Sequence, residues 1–454
     1  MSGPSPGESG GPDDPGGFGE SGGSGGSSGS GGSGESGGSS GSGESGGFDG
    51  SVESNETVAF EGGEVGGPTV VAPGIVRIGV GTGSPEGQNS AYVLPDRGVV
   101  VDPGPPSDDA WERLVTGIEA AGLAVDEVVL VLVTHWHADH AGLAPRLAEA
   151  ADATLAMHEA DAPLVADYAA ERERRIDRDA RRLRAWGVPD DRVAALREGD
   201  RPSPMPDSYP VRELVDGECV LGIRVLHTPG HTLGGATFVV EDDDEEDGNG
   251  SPRGTERPTL LVGDHVLPTY TPNVGGGDTR LFGFDDEADP GAVDPDNPSP
   301  LWFYLDALDR LVEWDGRRRR CGEHHAGGDD LGGVADDGDT DPPTPLVLPG
   351  HGTDLDLAER AAVIDRHHRE RAERVLDAVR AVQATGTDGE SGGEGASGDG
   401  VTPWAVAREL FGEMDGIHAK MGVGEAAAHL VDLRCRGLVG VVGEEPVRYS
   451  AVGR

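Results

Sequence analysis

The sequence predicts a mixed α/β fold, with short buried strands alternating with charged helices and a small C-terminal module after them, and three observations predict it. Brief runs of β-branched and aliphatic residues recur between about residues 70 and 348, each stopped by Gly, Pro or a polar cluster. Charged segments with helical spacing separate them at about 159–185, 301–313 and 355–381. Several apolar runs end directly in loops that carry His and Asp, which puts polar chemistry at strand ends.

Residues 1–65 are Gly and Ser with scattered Glu and almost no aliphatic side chains, so this acidic arm is expected to be disordered. Order begins near Val70. Ile75 to Ile78, Ala91 to Leu94 and Gly98 to Asp102 have the length and content of strands, the third stopped by Pro103-Gly104. An amphipathic stretch from Trp111 to Ala121 leads to the apolar run Val128 to Val133, which suits a strand buried on both faces. Further strands are expected at 154–157, 223–226, 237–240, 259–262 and 345–348. Two acidic, Gly-containing segments, 241–256 and 322–343, interrupt the pattern as surface insertions. These elements make residues 66–383 the main domain, joined by a Gly-rich linker at 384–400 to a module at 401–454. In that module Pro403 to Phe411 and Ala426 to Leu433 have helical spacing. Gly437 closes the second helix, and Val439 to Val452 alternates like a two-stranded wing, so the module is expected to be winged-helix-like.

Charge is extreme. The 454 residues carry 36 Lys+Arg against 83 Asp+Glu, a formal net charge of -47, and Lys420 is the sole lysine. Such self-repulsion is relieved by salt, which points to a salt-loaded cytoplasm and says little about substrate. Three widely spaced cysteines, Cys219, Cys321 and Cys435, form no paired motif, so a reducing interior is expected. No apolar run approaches the ~18–20 residues of a membrane span, and the N-terminus lacks the basic and apolar regions of a signal peptide. A cytoplasmic location is expected.

The sharpest chemical signal is His135-Trp136-His137-Ala138-Asp139-His140, directly after the buried run ending at Val133. Alternate residues leaving a strand point the same way, so His135 and His137 can offer nitrogens to one metal while the following turn aims Asp139 and His140 at a second. Three more strand ends carry the same residue types: Thr228-Pro229-Gly230-His231, Gly263-Asp264-His265 and Pro349-Gly350-His351-Gly352. Each has a Gly that lets backbone approach closely. Nitrogen and carboxylate donors without thiolate suit zinc and leave iron or manganese open.

These motifs, in this order over about residues 70–381, resemble the metallo-β-lactamase superfamily, and its glyoxalase-II-like members in particular. The resemblance implies an αββα sandwich with the site at one edge of two packed sheets. It also implies two divalent metal ions, one held by His135, His137 and His231, the other by Asp139, His140 and His351, with Asp264 bridging. Such a pair, about 3.5–4 Å apart, lowers the pKa of a shared water from ~15.7 towards neutrality and so supplies a hydroxide. Asp139 is expected to act in catalysis by orienting it. Asp264 to Pro268, Thr271 to Gly275 and His367 to Arg371 are similar to the branch that includes β-lactamase-like protein 2, whose members carry a C-terminal winged helix.

A small carbonyl or thioester substrate is the first expectation. Relatives in that branch leave single-stranded RNA as an alternative, served here only by the arginines of 172–184 and 317–320 among many acids and 4% aromatics. A non-catalytic regulatory protein acting through its winged helix is a third reading, and a homodimer is left open. Of the other histidines, His265 and His227 are placed between packing and support of the metal ligands. His324 and His325 are expected in solvent, and His368 in a core on one helical face with Ile364, Ala372, Val375 and Val379. Asp102 is read as structural or supporting. His158, His418 and His429 receive no role.

Overall fold

The computed structural model describes residues 67–81, 86–241, 258–283, 299–314, 344–385 and 400–452. The Gly/Ser arm, the first insertion apart from Glu241, the whole second insertion with His324 and His325, Cys321, Arg317 to Arg320 and nearly all of the linker lie outside the described residues.

The first sheet takes seven strands in chain order: β1 (Thr69–Ala72), β2 (Ile75–Gly79), β3 (Ser90–Leu94), β4 (Val99–Val101), β5 (Leu130–Val133), β6 (Thr154–His158) and β7 (Arg212–Leu214). Neighbours are antiparallel as far as β4 and parallel from β4 to β7. The second sheet has β8 (Cys219–Val220), β9 (Ile223–His227), β10 (Ala236–Val240), β11 (Thr259–Gly263) and β12 (Leu346–Pro349), in the order β12-β11-β10-β9-β8. The sheets face one another across a core of Tyr92, Leu132, Val225, Phe238, Leu261 and Leu348. Within β5 the two-residue period divides the side chains: Leu130 and Leu132 enter this inner core, while Val131 and Val133 pack outward. Each such fully buried aliphatic side chain stabilises the sandwich by about 1.5–3 kcal/mol.

Helices cover both outer faces, completing the αββα order. On the first sheet lie α1 (Asp108–Ala120), the single turn α2 (Ala138–Ala141) and α3 (Ala144–Ala151). Helix α1 begins where Ser107 Oγ accepts the Ala110 N–H at 3.2 Å, and it buries Leu114 and Ile118. The expected helix at 159–185 is divided. Pro163 opens α4 (Pro163–Ala166), Asp167 leaves helical geometry, and α5 (Tyr168–Ala185) follows. Then comes α6 (Asp190–Gly199), which with the two- and three-residue strands β8 and β7 is too short or too polar to show a period. On the second sheet pack α7 (Pro300–Val312) and α8 (Leu357–Thr385).

After the linker come α9 (Pro403–Phe411), α10 (Gly416–Cys435) and the antiparallel hairpin of β13 (Val439–Glu444) with β14 (Val447–Ala451). Gly437, at φ 71°, ends α10 in the left-handed region that glycine takes without strain. These elements share one hydrophobic cluster with α5, α6 and α8, through Trp404, Val423 and Leu430 against Leu183, Val193 and Val375. Lys420 is buried there, its Nζ donating to Asp179 at 2.7 Å. One expectation is corrected: Cys219 is disulfide-bonded, where the absence of a paired cysteine motif pointed to a reducing interior. Among the described residues no helix is long and apolar enough to cross a membrane.

Candidate metal centre

Four strand ends on the same edge of the sandwich deliver the seven side chains singled out above. The end of β5 supplies His135, His137, Asp139 and His140. The β9–β10 turn supplies His231, β11 runs into Asp264, and β12 into His351. Two sets of donor atoms result, one from His135, His137 and His231 and the other from Asp139, His140, Asp264 and His351, with each set lying within 4.8 Å.

In the first set, His137 Nδ1 is 3.1 Å from both His135 Nε2 and His231 Nε2. In the second, His140 Nε2 is 3.5 Å from Asp139 and 3.4 Å from Asp264, while His351 Nε2 is 3.3 and 3.4 Å from the same two carboxylates. A tetrahedral ion with bonds of ~2.0–2.1 Å sets its ligand atoms ~3.4 Å apart, so both sets have the spacing of a coordination polyhedron. Asp264 Oδ2 also lies 3.9 Å from His231 Nε2, which places this carboxylate between the two sets. His140 Nε2 and Asp264 Oδ1 are buried without a hydrogen-bond partner. Orphan atoms of that kind suit direct bonds to an ion, and the residues therefore fit the metals that the sequence implies.

Electrostatics agree. Burial, aided by neighbouring imidazoles, holds His135 far below the usual histidine range and His137 down at about 3, so these rings are neutral and keep a lone pair. Burial opposes charge on His351 too, yet hydrogen bonds to Asp139 and Asp264 raise it to about 9. The carboxylates thus create a field that favours a cation. Asp139 keeps 41% of its side chain exposed while the other three members of its set are buried, so it is the ligand turned towards solvent.

Glycines make the convergence possible. A Cβ on Gly350 would come within 2.4 Å of Asp264 Oδ1 and 2.6 Å of the His140 ring. Gly263 takes φ 52° against Thr134, turning the chain so that Asp264 points into the site.

A second layer holds the ligands. Asp102 is buried at φ 50°; its Oδ1 accepts the Thr134 N–H at 2.7 Å, and its Oδ2 accepts Thr134 Oγ1 at 2.7 Å and lies 3.1 Å from His140 Nδ1. This orients His140, the supporting role expected of Asp102. Asn89, with no motif around it to mark it, reaches Asp139 Oδ2 at 3.0 Å and His351 Nε2 at 3.3 Å. Asp161 also escapes sequence reasoning. Fully buried, it accepts Trp136 N–H at 3.2 Å, Thr232 Oγ1 at 2.8 Å, Gly234 N–H at 2.9 Å and Arg280 Nη2 at 2.6 Å, tying the loop of His135 and His137 to that of His231. Arg280 also grips Asp278, which accepts the Leu233 N–H at 3.0 Å. Burial alone would raise the Asp278 carboxyl; the guanidinium overcomes it and holds the group well below the usual range.

His265 is buried on Tyr304 with both ring nitrogens unpartnered, and burial brings it to about 3. His368 is buried on the helical face expected of it, 3.4 Å from His429. His227 stacks on His158 with ring centres 4.0 Å apart, and its Nε2 is 2.9 Å from the Leu233 carbonyl in the loop of His231. His418 is exposed.

The comparisons agree with this fold. The solved structure of a metallo-beta-lactamase family protein from Thermus thermophilus is similar, with 25% identity, TM-score 0.55, and coverage of 84% of this chain and 100% of that one. A beta-lactamase domain protein from Burkholderia ambifaria shares the fold at 23% identity and TM-score 0.53, over 87% of this chain and 96% of that one. No curated protein matches the chain. A profile described as the metallo-beta-lactamase superfamily matches residues 84–319, more than half of the sequence. With sandwich, strand-end loops and profile in agreement, the chain belongs to the metallo-beta-lactamase superfamily.

Proposed function

We propose that the protein is a hydrolase dependent on two divalent metal ions, acting on a small carbonyl or thioester substrate. The observation that carries this reading is the pair of donor sets, with contacts of 3.1–3.5 Å inside each and Asp264 between them. Metals bound there, with zinc best suited and iron or manganese compatible with the donors, would activate water and polarise the substrate's reacting oxygen. The chain's own part is positional. Asp139, steadied by Asn89, is placed to orient the attacking water and hold its proton at a carboxylate oxygen. Asp102 keeps the His140 imidazole from rotating, and Asp161 holds together the loops that carry His135, His137 and His231.

Charge pairing supports a small substrate over a nucleic acid. Arg172 and Arg175 both pair with Asp200, at 2.6 and 2.7 Å, while Arg174 pairs with Glu171 and Arg184 with Asp190. An arginine stripe neutralised in this way offers phosphates little counterion release. The C-terminal segment is close to a winged helix in its order of elements. Twelve of the 20 residues of α10 are buried, which leaves it no broad face for a DNA groove. The net charge of -47 suits a salt-rich medium, so assays belong in molar KCl.

The test is turnover by metal-loaded protein on a thioester panel and on single-stranded RNA, with Asp264→Ala as control. Thioester hydrolysis that disappears in the variant is expected. RNA cleavage without thioesterase activity would reassign the substrate, and full turnover by Asp264→Ala would end the dinuclear reading.

A further inference from the structure

Away from the metal centre, a cavity of about 300 Å3 opens between the outer face of β9 and helix α7. Leu226, Ala307, Leu311 and Trp314 give it apolar walls, and Arg224 and Arg310 line the same space. Arg224 is the unusual member. Its neighbours Ile223 and Val225 enter the core between the sheets, so the strand's alternation turns Arg224 outward beneath α7, where only 6% of it is exposed. Its Nε and Nη2 have no hydrogen-bond partner. Glu241 Oε2 forms an ion pair with Nη2 at 3.7 Å, which offsets the charge but lies beyond hydrogen-bond reach and leaves both N–H groups unmet. Folded proteins seldom bury donors on a charged group and leave them unmet, so the two N–H groups call for an acceptor.

The surroundings define that acceptor. Arg310 Nη2 donates to the His227 carbonyl at 2.9 Å and its Nε pairs with Asp306 at 3.3 Å, which fixes the guanidinium beside the cavity. Asp216, the acid on this wall, has Oδ1 engaged by the His227 N–H at 2.8 Å. We infer that the cavity binds a small amphipathic oxyanion, a carboxylate or phosphate carried on one compact apolar ring or chain. A guanidinium matches the parallel oxygens of either head group, and Trp314 with the aliphatic walls takes the body. The volume is at the lower end for small-molecule sites and limits that body to about one ring. Thr228 lines both this cavity and the narrow space behind His231, so the site backs onto the metal centre without sharing its ligands.

Calorimetric titration of the full chain, as isolated, with benzoate, phenyl phosphate, inorganic phosphate and benzyl alcohol tests this. Saturable binding of benzoate or phenyl phosphate is expected, the tighter of the two naming the head group. Inorganic phosphate and benzyl alcohol, each lacking one half of the recognition, should bind at least about tenfold more weakly. Arg224→Gln and Arg310→Gln should each weaken binding at least about tenfold, and Arg146→Gln, an exposed arginine on α3, should not. Arg310 is half exposed, so its variant keeps the test alive if Arg224→Gln fails to fold by circular dichroism. No saturable heat from any probe up to about 10 mM overturns the inference. Binding that persists in both variants belongs to the metal centre and overturns it too, as does benzyl alcohol matching benzoate.

Discussion

Replacing Asp102 by Asn isolates the contribution of one proton. The carboxylate Oδ2 sits 3.1 Å from His140 Nδ1 and so holds a proton on that nitrogen, leaving Nε2, which faces Asp139 and Asp264, as the nitrogen that a metal ion would take. Asn keeps the shape, tolerates φ 50°, and still accepts the Thr134 N–H through Oδ1. Its Nδ2 is a donor where Oδ2 was an acceptor. Thr134 Oγ1 can adapt by accepting; His140 can adapt only by moving its proton to Nε2, where it blocks coordination. Partners of this kind are worth about 10–100-fold in metal affinity, or ~1.4–2.7 kcal/mol. The lost charge-assisted bond should cost the fold about 1–2 kcal/mol, leaving the protein folded. Competition against a chromophoric chelator measures the affinity, with circular dichroism as the fold control. Asp102→Asn binding metal with unchanged stoichiometry and affinity would refute the argument that the carboxylate sets the His140 tautomer.

Two further predictions concern stability. Arg280→Met leaves Asp161 and Asp278 buried without their cation, and urea denaturation should show a loss of about 3–5 kcal/mol; a loss below about 1 kcal/mol would mean the two acids are solvated. His429 is fully buried, and burial lowers it to about 4 against 6.5 in an unfolded chain. Between those values the unfolded chain takes up a proton that the folded one refuses. Stability from this group is therefore complete above about pH 6.5 and is lost as pH falls towards 4, at up to ~1.4 kcal/mol per pH unit. His429→Gln should flatten that slope, and a wild-type-to-variant difference that stays constant between pH 7 and pH 5 would sink the assignment.

Periodicity and punctuation located most of the sandwich, because its strands are short apolar runs bounded by Gly and Pro. What failed was local. Pro163 and Asp167 break a helix that charge patterning joined, and α6, β7 and β8 carry too few apolar residues to reveal a period. The candidate metal ligands were legible because His135 to His140 are dense in donor residue types and, like His231, Asp264 and His351, follow apolar runs in motifs that resemble a known family. Asn89, Asp161 and Arg280 were not, since a lone polar residue has no signature until its partners, often more than 45 positions away, are in place. His429, also given no role, turns out to face His368 across two helices.

The sequence by itself determined the fold class and the strand-end motifs, which are written in adjacent residues, and the family resemblance of those motifs pointed to the seven side chains that converge. It also determined the excess of negative charge, a property of composition alone. Tertiary structure decided the rest. It set the spacing within each donor set, the Asp102 contact that orients His140, and the Arg280 clamp joining the loops of His137 and His231. It also placed Lys420 and Arg224, two cations that composition would assign to the surface, inside the protein. Hydrogen bonds and burial depend on distances between segments remote along the chain, and those distances exist only once the sheets have packed.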